Sequence, residues 1–243
     1  MRSILVCGLH GVAIICGLNI NRVVWCKYLA NTPPFPNLLI FIYLQIMITS
    51  SSRKELIVVG GPNGSGKTTL AKELIDDQKI TYISADDIAY ELAPSDPESV
   101  RVQAGKEFFT RLESAITNEE NVLIESTLSG KSLTSLIERY QHEYDYSITI
   151  VFVYLANAEV CVERVAIRVE KGGHKVPVED IKRRFSRSLT NFWNLYRNLS
   201  DNWYLFYNSD DSFEEVARSV SQEEFVLDEE LYSNFQKIVE DHE

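Results

Sequence analysis

The chain has 243 residues, 45% of them hydrophobic, with 24 basic and 35 acidic side chains and a formal net charge of −11. That length and apolar content suffice for one large α/β domain with a real core. The acidic balance argues against a nucleic-acid partner, and four cysteines without a CxxC pair or a Cys/His spacing leave no zinc-binding pattern.

Residues 1–52 stand apart as an N-terminal extension outside the main domain, which is expected at 53–243. Residues 1–54 hold no Asp or Glu and only five of the 24 basic residues, so the remainder carries 19 basic and 35 acidic side chains, a net of −16. Three readings of the extension stay open. Residues 3–20 and 38–49 are apolar, but Gly8, His10, Gly11 and Gly17 interrupt the first run and the second is short for a membrane span. A fused regulatory segment would need an amphipathic helical pattern, which is missing. The third reading, the favoured one, is translated upstream sequence, with Met47 opening an ordinary start before the first strand. A body with the single cysteine Cys161 fits a reducing cytoplasm.

Residues 55–60 read as a buried strand. Directly after it, Gly61-Pro62-Asn63-Gly64-Ser65-Gly66-Lys67-Thr68 is a full phosphate-binding (Walker A) loop, and Thr69 continues into a helix reaching about Asp77. Glycines let the backbone approach an anion, successive N–H groups converge on phosphate oxygens, and the helix start adds its positive dipole end. Lys67 is expected on the β- and γ-phosphates of ATP and the Thr68 hydroxyl on Mg²⁺.

Residues 79–84 alternate and read as a second strand, followed by Ser84-Ala85-Asp86-Asp87. A carboxylate there would face the loop and take a proton from an attacking hydroxyl. Asp86 is the expected base, and Asp87 the expected cap of a short helix at 88–92. Helical spacing covers 97–118, a third strand 121–125, and a helix runs from near Ser129 to Gln141. The third strand ends in Glu125-Ser126-Thr127, which either meets substrate or orients Mg²⁺ through water, or else caps the next helix. Ser147–Leu155 is a β-branched fourth strand, Ala158–Glu170 a helix, and Gly172–Gly173 a break. Pro177 suits the first position of a helix towards Asn198, 203–207 is a fifth strand, and acidic helices close the chain. Strands alternating with helices predict a parallel sheet in a three-layer αβα sandwich, with ligands at the carboxyl ends of the strands.

Arg164, Arg168, His174, Lys175, Lys182, Arg183, Arg184 and Arg187 concentrate positive charge around the Gly-Gly break. They read as a helical lid whose arginines close on phosphoryl oxygens, or else as a solvated basic face. Arg183 and Arg187 share one helix face. Asn208 and Ser209, after the fifth strand, are a weak guess for adenine contacts.

Gly-Gly-Pro-Asn-Gly-Ser-Gly-Lys-Thr-Thr, Ser-Ala-Asp-Asp, Ile-Glu-Ser-Thr, Ile-Arg-Val-Glu and Gly-Gly-His-Lys-Val-Pro occur in this order, and over residues 53–210 the chain resembles the zeta-toxin family of P-loop kinases, in its short predicted-ATPase branch. The resemblance implies a P-loop NTPase fold of the nucleoside-kinase type. It implies ATP and Mg²⁺ as cofactors and a hydroxyl of UDP-N-acetylglucosamine, or a related UDP-sugar, as acceptor. It also implies a separately encoded antitoxin partner, while the acidic balance argues against nucleic acid and the broken apolar runs against a membrane. Asp86 matches the family's base, Glu125 and Thr127 its substrate motif, and Arg168 a lid arginine, although Val169 replaces an aromatic residue. A second lid arginine falls at His174. Arg183, Arg184, Arg187 or Lys175 could replace it.

Overall fold

The computed structural model describes residues 4–9, 12–17, 53–75, 80–173, 175–209 and 212–242. The chain divides into two compact units, Met1–Phe35 and Pro36–Glu243. Within the first, β1 (Ile4–Leu9) and β2 (Val12–Gly17) pair antiparallel, from Ile4 opposite Gly17 to Leu9 opposite Val12. The boundary expected at residues 52/53 borders the segment 18–52, which lies outside the described residues, as does Met47. Among the described residues no helix is long and apolar enough to cross a membrane.

The second unit is built on β3 (Glu55–Gly60), β4 (Ile80–Ile83), β5 (Asn121–Ser126), β6 (Ser147–Tyr154), β7 (Asn202–Asn208), β8 (Phe213–Val220) and β9 (Glu223–Val226), in the spatial order β4-β5-β3-β6-β7-β8-β9. The first five of these in chain order are parallel, as expected. The expected acidic helices after β7 are instead two antiparallel strands, β8 and β9, and only the last stretch, Glu229–Glu240, is helical. Glu, Ala and Arg in Phe213–Val220 favour a helix locally, but Phe213, Val216, Ala217 and Ser219 are buried against the sheet. Tertiary packing overrides propensity there.

The helices described in this unit are α1 (Lys67–Ile75), α2 (Ala85–Leu92), α3 (Arg101–Thr117, preceded by a 3₁₀ turn at Pro97–Val100), α4 (Thr134–Tyr144), α5 (Ala158–Glu170), α6 (Val178–Asn191, continued by a π-helical stretch at Phe192–Tyr196 and a last turn at Arg197–Leu199) and α7 (Glu229–Glu240). Every residue of β3 and β6 is buried, as a central strand covered on both faces requires. Side chains alternate between two cores. Leu56, Val58, Ile150 and Phe152 face one that gathers α2 to α7, including Phe108, Leu112, Phe185 and Phe235. Ile57, Val59, Val151 and Val153 face the other, closed by Leu70, Ala71 and Leu74 of α1. The αβα sandwich is thus a lopsided one.

Strand register aligns the ends of three elements. Val59 lies opposite Glu125 and Gly60 opposite Ser126, while Ile83 lies opposite Ile124. The turn after β3, the end of β5 and the start of α2 therefore open at the same edge of the sheet, where parallel α/β proteins bind ligands.

Candidate functional site

The loop Gly61–Gly66 connects β3 to α1. Gly61 has φ 142° and Gly66 φ 95°. A Cβ at Gly61 would lie 2.1 Å from the Val153 carbonyl oxygen, and one at Gly66 would lie 2.5 Å from Asn208 Nδ2. Both positions therefore require glycine for conformation and for space. The loop is held from within, Ser65 N–H donating to the Pro62 carbonyl at 3.3 Å. It is held from outside by Asn208, whose Nδ2 donates to the Ser65 carbonyl at 2.8 Å. Asn208 therefore supports the phosphate loop itself. Arg164 donates to the Asn208 and Ser209 carbonyls at 3.3 and 3.2 Å, tying α5 to the same corner.

Lys67 and Thr68 open α1, with Thr69 exposed behind them. Lys67 Nζ donates to the Pro62 carbonyl at 2.8 Å, curling back over the loop that it would share with a phosphate. Burial pushes its ammonium down to about 8, with Glu125 and Asp86 pulling the other way and Arg168 adding to the fall. Glu125, Asp86 and the half-buried Arg168 are thus among the charges that its ammonium feels.

The Thr68 hydroxyl donates to Glu125 Oε2 at 2.9 Å, and the Tyr82 hydroxyl donates to Oε1. Burial and the adjacent carboxylate keep Tyr82 protonated far above its usual range. Glu125 is thus held from two sides next to the expected Mg²⁺ ligand. Among the described residues no cluster of three or more His, Cys, Asp and Glu side chains could hold a metal on protein groups alone. A hydroxyl and one carboxylate are a donor set that fits Mg²⁺, which keeps most of its shell as water and phosphate oxygen. Thr68 would hold it directly and Glu125 through water.

Asp86 lies in the first turn of α2, exposed, and lines a cavity of about 170 Å³. The expected cap is corrected here. The helix starts at Ala85, and Ser84, not Asp87, caps it, its Oγ accepting from Asp87 N–H at 3.3 Å. Both aspartates are left in the first turn, where the helix dipole favours negative charge. Burial raises the Asp87 carboxyl, with Lys72 opposing.

Thr127 bonds sideways, its Oγ1 2.8 Å from Ser129 Oγ, while its carbonyl accepts from Ser188 of α6. Helix α4 begins only at Thr134, with Leu133 before it and no side-chain cap. The capping alternative for Ser126, Thr127 and Ser129 is therefore overturned, and this loop instead ties β5 to α6. Pro177 is likewise one position earlier than expected, at the cap of α6.

The basic cluster separates into two sets. Lys182 pairs with Glu159 at 3.0 Å and Arg183 with Asp180 at 2.7 Å, both on the solvated side. Arg187 is exposed, and so is Lys175. Arg184 turns inward, its NH1 donating to Asn63 Oδ1 of the phosphate loop at 3.4 Å. Burial, and next the charge of Arg101, hold its guanidinium below the ordinary value, with Asp180 and Asp86 opposing. Helix phase carried the signal: Ile181, Ser188 and Arg184 share one ridge, and the first two are buried. Gly172 at φ 86° ends α5, and Gly173 N–H donates to the Arg168 carbonyl at 2.9 Å, so the Gly-Gly break fixes the turn that carries Arg168. His174 lies outside the described residues. Tyr82, Arg101 and the role of Asn208 escaped the sequence reading because no motif marks them.

Sheet order, phosphate loop and converging charges define a P-loop kinase-like fold. The AAA domain family model AAA_33 matches residues 56–188, more than half of the chain, and the chain belongs to that family. An uncharacterised protein of Haemophilus influenzae is 30% identical over 133 residues, covering 55% of this chain and 94% of that one. The cytidylate kinase of Sulfurisphaera tokodaii is 31% identical over 123 residues, covering 46% of this chain and 62% of the enzyme, so this chain spans less than two thirds of its length. The AvrRxo1-ORF1:-ORF2 complex with ATP has a TM-score of 0.60 at 16% identity, over 84% of this chain and 68% of that one. The PezAT chromosomal toxin–antitoxin system of Streptococcus pneumoniae gives 0.54 at 16% identity, over 88% and 99%. These two share the fold.

Proposed function

We propose that the protein is an ATP- and Mg²⁺-dependent kinase of a small molecule, transferring the γ-phosphoryl group to a hydroxyl of UDP-N-acetylglucosamine or a related UDP-sugar. In this reading residues 53–243 form the kinase and 1–52 lie outside it. The protein works in the cytoplasm as the toxin of a toxin–antitoxin pair, with a separately encoded antitoxin as partner. The observation that carries the kinase reading is the convergence of Lys67, Thr68–Glu125, Asp86 and Arg184 on one edge of the sheet. The UDP-sugar and the antitoxin rest on the ordered motifs that resemble zeta toxins, and the fold shared with PezAT supports them.

The amides of Gly61–Thr69 and the Lys67 ammonium bind the β- and γ-phosphates. Thr68, with Glu125 through water, would hold Mg²⁺, which when bound would supply charge neutralisation for the transferring phosphoryl group. Asp86 accepts the acceptor's hydroxyl proton as that oxygen bonds to the γ-phosphorus, and the bond to the β,γ-bridging oxygen breaks to release ADP. Arg168 and Arg184 stabilise the charge on the transferring group. By the motifs that resemble zeta toxins, Glu125 and Thr127 face the acceptor, and His174 stands where those motifs carry a second lid arginine. The likeness to a cytidylate kinase favours, as second reading, a nucleotide acceptor in the same site.

The test is incubation of the full chain with ATP, Mg²⁺ and a panel of UDP-sugars and nucleoside monophosphates, read by mass spectrometry. A UDP-sugar heavier by one phosphoryl group supports the first reading, and a nucleoside diphosphate the second. ATP binding with no product from any member sinks both.

A further inference from the structure

We propose that the hollow between α2 and α3 is an anion subsite of the acceptor, where Arg101 holds a phosphate group of the molecule whose hydroxyl faces Asp86. This rests on the kinase reading and assigns the residue that recognises the phosphate carried by a UDP-sugar or a nucleotide acceptor.

The hollow, about 170 Å³, is lined by Asp86, Ala89, Tyr90, Pro97, Arg101 and Ala104. Its cause is small side chains: Ala89 and Ala104 are both buried where the two helices meet, and no larger group fills the space beside them. The charges on its wall are opposite in sign. Asp86 provides the base, and a neutral acceptor would need nothing more. Arg101 adds a guanidinium fork suited to two oxygens of one phosphate. Its partner in this structure is Glu98, at 3.4 Å, with each side chain 42% exposed. An exposed pair of that kind contributes little and exchanges readily for a better anion.

Arg184 adds positive charge near the same edge. It reaches the loop through Asn63, lies 4.0 Å from Asp180, and its environment is set first by burial and then by Arg101, with Asp86 also in range. The Arg101 and Arg184 charges thus oppose one another, and Asp180 and Asp86 offset part of that repulsion. The volume is well below that of a whole nucleotide-sugar site. It houses the charged group, while the rest of the acceptor extends past Tyr90, which is 40% exposed.

The experiment fills the phosphate loop first. Full-length protein saturated with AMPPNP and Mg²⁺ is titrated calorimetrically with N-acetylglucosamine 1-phosphate, UDP-N-acetylglucosamine, UMP and neutral N-acetylglucosamine. The expected result is binding of at least one phosphorylated probe about tenfold or more tighter than the neutral sugar. Arg101→Gln should erase that preference and Arg101→Lys keep part of it, with the AMPPNP affinity unchanged in both. Equal affinity for charged and neutral probes, no binding of any phosphorylated probe, or undiminished binding by Arg101→Gln overturns the subsite. Because binding is read without turnover, anion binding through Arg101 in a protein that transfers nothing supports the subsite and fails only the kinase reading.

Discussion

Thr68 at the start of α1 and Glu125 at the end of β5 are joined by a 2.9 Å hydrogen bond. They are 57 residues apart in sequence, and the parallel register of β3 and β5 brings them together. In the proposed kinase Thr68 would hold Mg²⁺ and Glu125 would support it through water. Thr68→Ala and Glu125→Gln should each raise the Mg²⁺ concentration needed for half-maximal turnover, by about tenfold for loss of an oxygen ligand or its support. ATP binding measured without Mg²⁺ should move less than threefold. A Mg²⁺ dependence unchanged in both variants would contradict the assignment.

Arg184 and Arg183 are neighbours in sequence with opposite surroundings, one over the phosphate loop and the other paired with Asp180 in solvent. Arg184→Ala should lower kcat by about 10²–10³, the usual cost of losing one donor to a transition-state oxygen. Arg183→Ala should stay within about twofold. Steady-state kinetics on the two variants decides this, and equal losses would return both residues to a diffuse charged face.

The Lys67 ammonium, held down to about 8 by burial, gives nucleotide binding a pH dependence. Polyphosphate favours the charged form and so raises this value in the complex. The contribution of Lys67 to affinity is then complete below pH 8 and is lost as pH rises above it. The ATP dissociation constant should rise by up to tenfold per pH unit above about 8, and Lys67→Met should be weaker and flat over that range. Isothermal titration between pH 7 and 9.5 checks this, and a wild-type curve as flat as that of the variant would refute it.

Glu55, at the far end of β3, is a buried carboxyl whose Oε1 accepts from Thr149 and whose Oε2 has no hydrogen-bond partner among the described residues. Burial raises its titration above the ordinary 4.5, with the Thr149 and Ser147 hydrogen bonds opposing. The folded state then holds the proton over a range where the unfolded chain has lost it. Stability therefore falls as pH rises from about 4.5 through the folded value. Glu55→Gln should remove that loss and be the more stable protein at pH 7.5. Urea unfolding at pH 5 and pH 7.5 measures it, and parallel losses in the two proteins would exclude Glu55 as the source.

Much of this arrangement was legible in the sequence because it is local. The strand–loop–helix from Glu55 to Ile75 needs only its glycines and the apolar run before them, and the five parallel strands arise from runs such as Ser147–Tyr154. What escaped depends on contacts distant in sequence. Phe213–Val220 has a helical composition and becomes a strand only because β7 offers an edge. Ser84 takes the cap from Asp87 because α2 starts three residues earlier than its apolar residues suggest. Of eight basic residues around the Gly-Gly break, only the packing of α6 singles out Arg184, and Arg101 joins the site from a helix that no motif marks.

The proposed transfer turns on Asp86, across the edge from Lys67, taking the proton of an acceptor hydroxyl. Its most direct test is single-turnover phosphoryl transfer by Asp86→Asn, with ATP affinity measured on the same preparation. Transfer should fall by about 10²-fold or more, the range for a lost general base, with ATP affinity within threefold of wild type. Transfer at the wild-type rate would contradict it.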